Sequence, residues 1–407
     1  MLAALPSFAA SPGFLPQARV GFTAGDQWEP SLAADGYGHV YVLYPQYGTV
    51  PGCATCPLPT MVLVVSNDNG VTWQRPRAIA PPGSAQFDAQ ITVDPVDRRT
   101  VYATWVQNNK SDVVVAKSAD FGQSWSVVVA ARNEDSDKPT LAVRGADVYV
   151  AFNHAESLWV AASHDGGITF ATNRVSAIPL RWTLPGGGTV DPAGNAYFAW
   201  AGYSRSGNGK VGLYTSRSSD SGASWSTRLM DRSGIAPDCS AYHCGWSYLG
   251  AQITIASDAA GTVYALWNSG TSDRGPERIY FASSTTSGVT WSAKAEVSSA
   301  APGVEHAFPA IIAGSAGDVR IAWMDSRRRP RWNTYYRSST NGGATWSAET
   351  RLSSGAPGYS YIRRDGFTFP FGDYFAIGID SRGQTHAVWG EGLNFNSPGS
   401  IWYTNGR

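Results

Sequence analysis

The side chains best suited to chemistry in this chain are grouped. Asp325-Ser326-Arg327-Arg328-Arg329-Pro330-Arg331-Trp332 is the richest run, and Tyr359, Tyr361, Arg363, Arg364, Asp365, Asp373 and Tyr374 form a second. Smaller groups are Asp26 with Trp28 and Glu29, Asp88, Asp135 with Asp137, Arg181 with Trp182, Tyr242 and His243 with Trp246 and Tyr248, and Glu305 with His306. Guanidinium forks take carboxylates bidentately, aromatic faces stack on sugar rings, and carboxyl groups move protons. The combination suits an acidic glycan. Each part also has a plainer reading. Asp325 and Arg327 can pair with each other, and His243 and His306 can be satisfied loop residues.

A repeat must position these groups. Ser66-Asn67-Asp68-Asn69-Gly70-Val71-Thr72-Trp73 comes back at Ser118–Trp125, Ser163–Phe170, Ser218–Trp225, Ser284–Trp291 and Ser339–Trp346. The pattern is S-x-D-x-G-x-[ST]-[WF]. Asp accepts hydrogen bonds from turn N–H groups, Gly supplies positive φ for a tight hairpin, and the aromatic is a large apolar plug. Asp68, Asp120, Asp165 and Asp220 hold the acidic position; Thr286 and Asn341 replace it in the last two copies. These residues read as structural. The pattern resembles the Asp box of sialidases and their relatives, which lies between the third and fourth strands of a propeller blade. The resemblance spans nearly the whole chain and implies an all-β propeller of four-stranded blades.

A second repeat lies between the boxes and reads as strand, Gly-rich turn, strand. Its copies are Pro30–Tyr44, Ala89–Trp105, Pro139–Phe152, Pro185–Trp200, Ala251–Trp267, Pro309–Trp323 and Asp373–Trp389, each ending in an aromatic. Seven copies predict seven blades; six, as in sialidases themselves, is the alternative. The last copy runs into Ser400–Arg407 and lacks an outer strand. Ala18-Arg19-Val20-Gly21-Phe22 matches the segments that follow the boxes, such as Asn173–Ser176 and Thr350–Ser353, and is expected to complete the seventh blade. Residues 1–16 are set aside as a leader or disordered N-terminus, with residues 17–407 as a single propeller domain. The extra length between repeats falls in loops that open opposite the boxes, on the face expected to bind.

Charged residues are 15% of the chain, and 31 basic residues balance 31 acidic ones, which gives no field to draw in nucleic acid or a membrane surface. No run is long enough to span a membrane. Cys53 with Cys56 and Cys239 with Cys244 read as two loop disulfides, hence a secreted or cell-surface protein; a zinc site using His243 is the sharper alternative. No cofactor is expected. Calcium at Asn133-Glu134-Asp135-Ser136-Asp137 stays open, although no ligand spacing demands it. A monomer is expected.

Carried over to function, the resemblance implies hydrolysis of terminal sialic acid with retention. Three arginines grip the carboxylate, a Tyr activated by a Glu attacks the anomeric carbon, and an Asp is acid/base. The Phe/Tyr-Arg-Ile-Pro motif that carries the first arginine is missing; only Arg19 lies upstream of the first box. Residue type and expected face assign Tyr374 as nucleophile, Glu305 as its base and Asp88 as acid/base. They assign Arg327 and Arg364 to the carboxylate, with Arg181, Trp182, Trp332 and Tyr248 as further substrate contacts. Tyr374 points either into the central channel or into its blade core. Elimination from a uronate, using His306 or His243 with a Tyr, is a variant of this reading. A non-catalytic propeller binding glycan or protein, and an assembly factor, are the alternatives to an enzyme.

Overall fold

The computed structural model describes residues 13–79, 84–132, 135–205, 208–238, 249–328, 331–353, 372–392 and 399–406, without the side chains of Asn208 and Arg331. Strands and turns make up this structure as seven antiparallel sheets, six of four strands and one of five. They are the seven blades. Their inner strands are Ser31–Ala34, Phe87–Val93, Asp137–Arg144, Trp182–Val190, Ile253–Ser257, His306–Ala313 and Ala376–Ile379. In blade one, Asp26–Gln27 adds a short fifth strand beside Val40–Tyr47.

Blade seven takes its fourth strand from the front of the chain. Ala18 pairs with Tyr403 and Arg19 with Trp402, antiparallel. Contacts reach back further: Leu15 N–H donates to the Asn405 carbonyl at 2.8 Å, and Phe14 bridges Gly406. This pairing covers the outer edge of the Gly399–Gly406 strand and ties the two ends of the chain together.

Apolar side chains alternate along the strands, so each sheet is buried on both faces. The core therefore divides into seven slabs, each between two neighbouring blades. One slab joins Tyr41, Leu43 and Leu63 of blade one to Ile91, Trp105 and Val114 of blade two. The slab across the closure joins Val388 and Tyr403 to Val42 and Val64. Box aromatics plug these slabs edge-on: Trp73 meets Tyr403 at 4.7 Å and Trp346 meets Phe281 at 5.0 Å.

The box chemistry is as the spacing predicts. Ser66 Oγ accepts the Gly70 N–H at 2.8 Å and donates to Asp68, while Asp68 accepts the Thr72 N–H at 2.8 Å. Gly70 has φ 81° and Asn69 before it 60°, the left-handed pair such a hairpin requires. Asn341 keeps the acceptor, taking the Thr345 N–H at 2.9 Å; in the fifth box Thr286 Oγ1 accepts from Thr290 N–H at the same distance.

A second acidic turn joins each of several inner strands to the next strand. Asp258 accepts from the N–H groups of Ala260 and Thr262 at 2.9 Å and from the Tyr264 hydroxyl at 2.7 Å. Asp35 with Tyr41 and Asp191 with Tyr197 repeat the arrangement. Asp258 also accepts the Gly317 N–H of blade six at 2.8 Å, so this turn ties blades together.

Asp258→Ala strands these donors in a buried site. Urea unfolding should show a loss of about 3 kcal/mol. The boxes should show themselves in acid. Hydrogen bonds from the Ser124 hydroxyl and N–H hold the Asp120 carboxyl down at about 2. A carboxylate held low when folded stabilises fully above its ordinary value of 3.8 and loses that contribution as pH falls toward about 2. Across that window the unfolding midpoint of Asp120→Asn should vary less with pH than the parent's.

Candidate functional site

Strand register decides which side chains meet at the loop-face mouth of the channel. In each blade the aromatic ending the second strand lies opposite one inner-strand position, as Trp200 does Pro185 and Trp267 does Ile253. The residue one step earlier is Glu29, Asp88, Lys138, Leu184, Gln252, Phe308 or Tyr374, in blade order. Asp88, Lys138 and Phe308 sit where the register shifts, with φ of 62°, 42° and 57°; Glu29 has φ 55°. Such a bulge costs backbone strain and re-aims a side chain. Phe308 uses it to pack on Trp332, 6.3 Å away. The polar members converge across the channel and form a collar.

Lys138 is its centre. Its ammonium lies 3.3 Å from Asp373 Oδ1, donates to Gln252 Oε1 at 3.2 Å and stands 5.0 Å from the centre of the Tyr374 ring. Gln252 Nε2 donates to the Asp373 carbonyl at 3.1 Å, and the Lys138 N–H reaches Asp88 at 3.3 Å.

Four carboxyl groups here form two pairs, each backed by a lysine. Asp88 shares a side-chain hydrogen bond with Asp137, which Lys110 contacts at 2.9 Å. Glu29 shares one with Asp373, the partner of Lys138, and accepts the Asp373 N–H at 3.1 Å. Burial, then the Asp373 and Asp88 charges, push the Glu29 carboxyl well above the usual range. Burial, then the Asp137 charge, does the same to Asp88. Asp137 goes the other way: burial opposes its ionisation most strongly, but the Lys110 charge, hydrogen bonds with Asp88 and Lys110, and the Lys138 charge together outweigh it. A pair of carboxyls that cannot both ionise retains a proton at neutral pH. Beside the two pairs is the Tyr374 hydroxyl. It is 8% exposed and has no hydrogen-bond partner among the described residues. Burial, then the charges of Glu29, Asp88 and Asp373, keep its proton on.

Of the expected site residues, Tyr374 and Asp88 meet in the collar. Glu305 does not join them; it accepts the Glu277 N–H at 3.0 Å between blades five and six. Arg327 is bound to Asp325 and Glu349, as the plainer reading of Asp325 allowed. Arg181 is an exposed loop residue 3.4 Å from Glu156. Trp182 is half-buried against the core between blades four and five. Trp332 is 1% exposed in the core between blades six and seven, so it offers no stacking face. Cys53 and Cys56 form a disulfide. Arg364, Tyr248, His243, Cys239 and Cys244 lie outside the described residues, as do residues 133–134 of the calcium candidate, whose Asp137 is occupied by Lys110. Glu29, Lys110, Asp137, Lys138 and Asp373 were not assigned roles from the sequence. A signal for three bulges was present, in the X-Pro steps Glu29-Pro30, Lys138-Pro139 and Phe308-Pro309 at one repeat position.

The opposite mouth is a cavity of about 750 Å³ lined by residues such as Asp94, Ala142, Ile255, Asp258 and Asp318. Its carboxylates are committed to turns and ion pairs: Asp94 to the Val96 and Gly145 N–H groups, Asp258 to its turn, Asp318 to Arg320. The proton-sharing carboxyls and the unpartnered phenol are thus at the loop face and not at this mouth.

The BNR repeat-like domain family matches residues 38–175, which include the first three boxes. No curated protein matches the chain in sequence. A Dyadobacter fermentans protein of unknown function is similar in structure, with a TM-score of 0.56 at 14% identity over 97% of this chain and 99% of that one. An ulvan lyase, a polysaccharide lyase solved with GlcA(1-4)Rha3S, gives 0.54 at 13% identity over 94% and 95%. A Hadza microbial sialidase gives 0.50 at 14% identity over 94% of this chain and 66% of its own. The likeness is one of fold: the chain is a seven-bladed β-propeller similar to BNR-repeat, sialidase-like propellers.

The retained protons are directly observable. The infrared spectrum at neutral pH should hold a protonated-carboxyl band that weakens in Asp88→Asn and again in Glu29→Gln; a parent spectrum without that band would refute the shared-proton description.

Proposed function

We propose that this seven-bladed propeller cleaves glycosidic linkages at its collar. The observation that carries the reading is the pair of lysine-backed carboxyl couples beside the unpartnered Tyr374 hydroxyl. Glycoside hydrolysis needs a proton donor for the leaving oxygen and a second group on the other side of the sugar. Asp88, kept protonated, is the donor. Tyr374 is the nucleophile, and the Glu29–Asp373 couple, which holds one proton between two carboxyls and so can take a second, replaces Glu305 as the group that receives its proton. Elimination is less well supported, because His306 is fully buried with Nδ1 2.8 Å from the Glu277 carbonyl. The Cys53–Cys56 disulfide supports work outside the cell.

Release of fluorophore from a set of glycosides, the sialic acid glycoside among them, tests this. Tyr374→Phe and Asp88→Asn should each lose about 10²–10³-fold in kcat/KM, while Glu305→Gln stays within a few fold of the parent. Unchanged turnover in Tyr374→Phe removes the nucleophile. Absence of turnover on every glycoside removes hydrolysis and leaves the collar as a binding site.

A further inference from the structure

Charge at the loop face bears on which sugar is taken, given the reading of the collar as a sugar site. The described cations nearest the collar are already committed. Lys110 is on Asp137, and Lys138 is on Asp373 and Gln252. Further out, Arg327 directs Nε and Nη2 at Asp325 and Nη1 at Glu349, and its guanidinium carbon lies 3.8 Å from the centre of the Tyr335 ring. Arg278 is bound to Glu296 and to the carbonyls of Ala300 and Ala301. A carboxylate or sulfate arriving here must break an ion pair to gain a partner. It must also approach four carboxyl groups that face two lysines among the described residues.

The unpartnered group in the collar itself is uncharged. The Tyr374 hydroxyl, nine-tenths buried and beside the Glu29 and Asp88 carboxyls, can both donate and accept. A buried hydroxyl left unpaired is costly, and a sugar hydroxyl satisfies both of its capacities. A carboxyl that keeps its proton likewise donates and accepts. Gln252, whose amide spans Lys138 and the Asp373 carbonyl, holds that lysine away from the phenol's oxygen and toward Asp373.

We propose that the collar receives an uncharged, hydroxyl-rich sugar residue, one hydroxyl of which hydrogen-bonds to Tyr374 Oη, and that sugars bearing a carboxylate or sulfate are refused. This reverses the acidic-glycan expectation drawn from the arginine-rich loop. The reason is that the central arginine of that loop already holds two carboxylates.

The test uses the full chain and 4-methylumbelliferyl glycosides of neutral hexoses and deoxyhexoses beside those of sialic acid and glucuronic acid. At least one neutral glycoside should exceed both acidic ones by about tenfold or more in kcat/KM, with little change on adding salt. Turnover of an acidic glycoside in preference to every neutral one overturns the inference while leaving glycosidic cleavage intact. If no glycoside turns over, cleavage fails and calorimetric titration with the methyl glycosides of the same sugars decides the substrate class. Saturable binding of a neutral methyl glycoside, weakened in Tyr374→Phe, supports it; binding of acidic sugars alone, or of none, overturns it. Tyr374→Phe removes one oxygen that has no described partner, so its unfolding midpoint should equal or exceed the parent's, which separates loss of binding from loss of fold.

Discussion

Two residues from the front of the chain, Ala18 and Arg19, pair with Tyr403 and Trp402, and the molecule hangs on that pairing. A propeller blade is a sheet with two apolar faces, stable only when both are covered by neighbours. A ring is the arrangement in which every blade has two neighbours. Opening it would expose the slab of Val42, Val64, Val388 and Tyr403 and leave a free strand edge. The closure is reinforced close to the loop face, where buried Asp26 accepts the Gly399 N–H at 2.7 Å. It also sets the chemistry, because Glu29 belongs to blade one and its partner Asp373 immediately precedes blade seven's inner strand.

Against this background the polar parts divide by what they cost. The turn acids are inexpensive, since each carboxylate is met by several N–H and O–H donors. The collar is not. It gathers four carboxyls and two lysines where burial disfavours charge, and it holds Glu29, Asp88 and Lys138 at positive φ. Strain and desolvation of this kind persist only where surrounding packing over-determines them. The seven apolar slabs supply that packing. Concentration of the cost in one ring of residues is the physical reason to look for function there.

Repetition made the fold legible. The boxes mark one turn of each of six blades, the aromatic-ended repeats count the blades, and Ala18–Phe22 could be recognised as a spare outer strand because six counterparts follow boxes. The site was legible only in part. Tyr374 and Asp88 could be picked by type and face. Glu305 was chosen over Glu29 by residue type and face alone, although it lies three residues before Phe308, blade six's counterpart of Glu29, and meets the Glu277 backbone instead of the collar. Lys138 was hidden for a related reason: a lysine before a proline in a repeat looks like a surface residue until the register buries it to 4% exposure. Arg327 misled in the opposite sense. Its neighbours in sequence advertise positive charge, but Glu349, which takes one end of its guanidinium, is 22 residues away.

One residue per blade means that the collar has no address in any single stretch of chain. Glu29 and Asp373 are 344 positions apart and share a hydrogen bond only in the finished ring. During synthesis, blades one to six can stack as they emerge, but the phenol and its flanking acids come together last. A chain interrupted before its final blade has most of the framework and the Asp88–Asp137 couple, but neither Tyr374 nor the Glu29–Asp373 couple. Half-made product is thus chemically silent, and the appearance of the site reports completion of the ring.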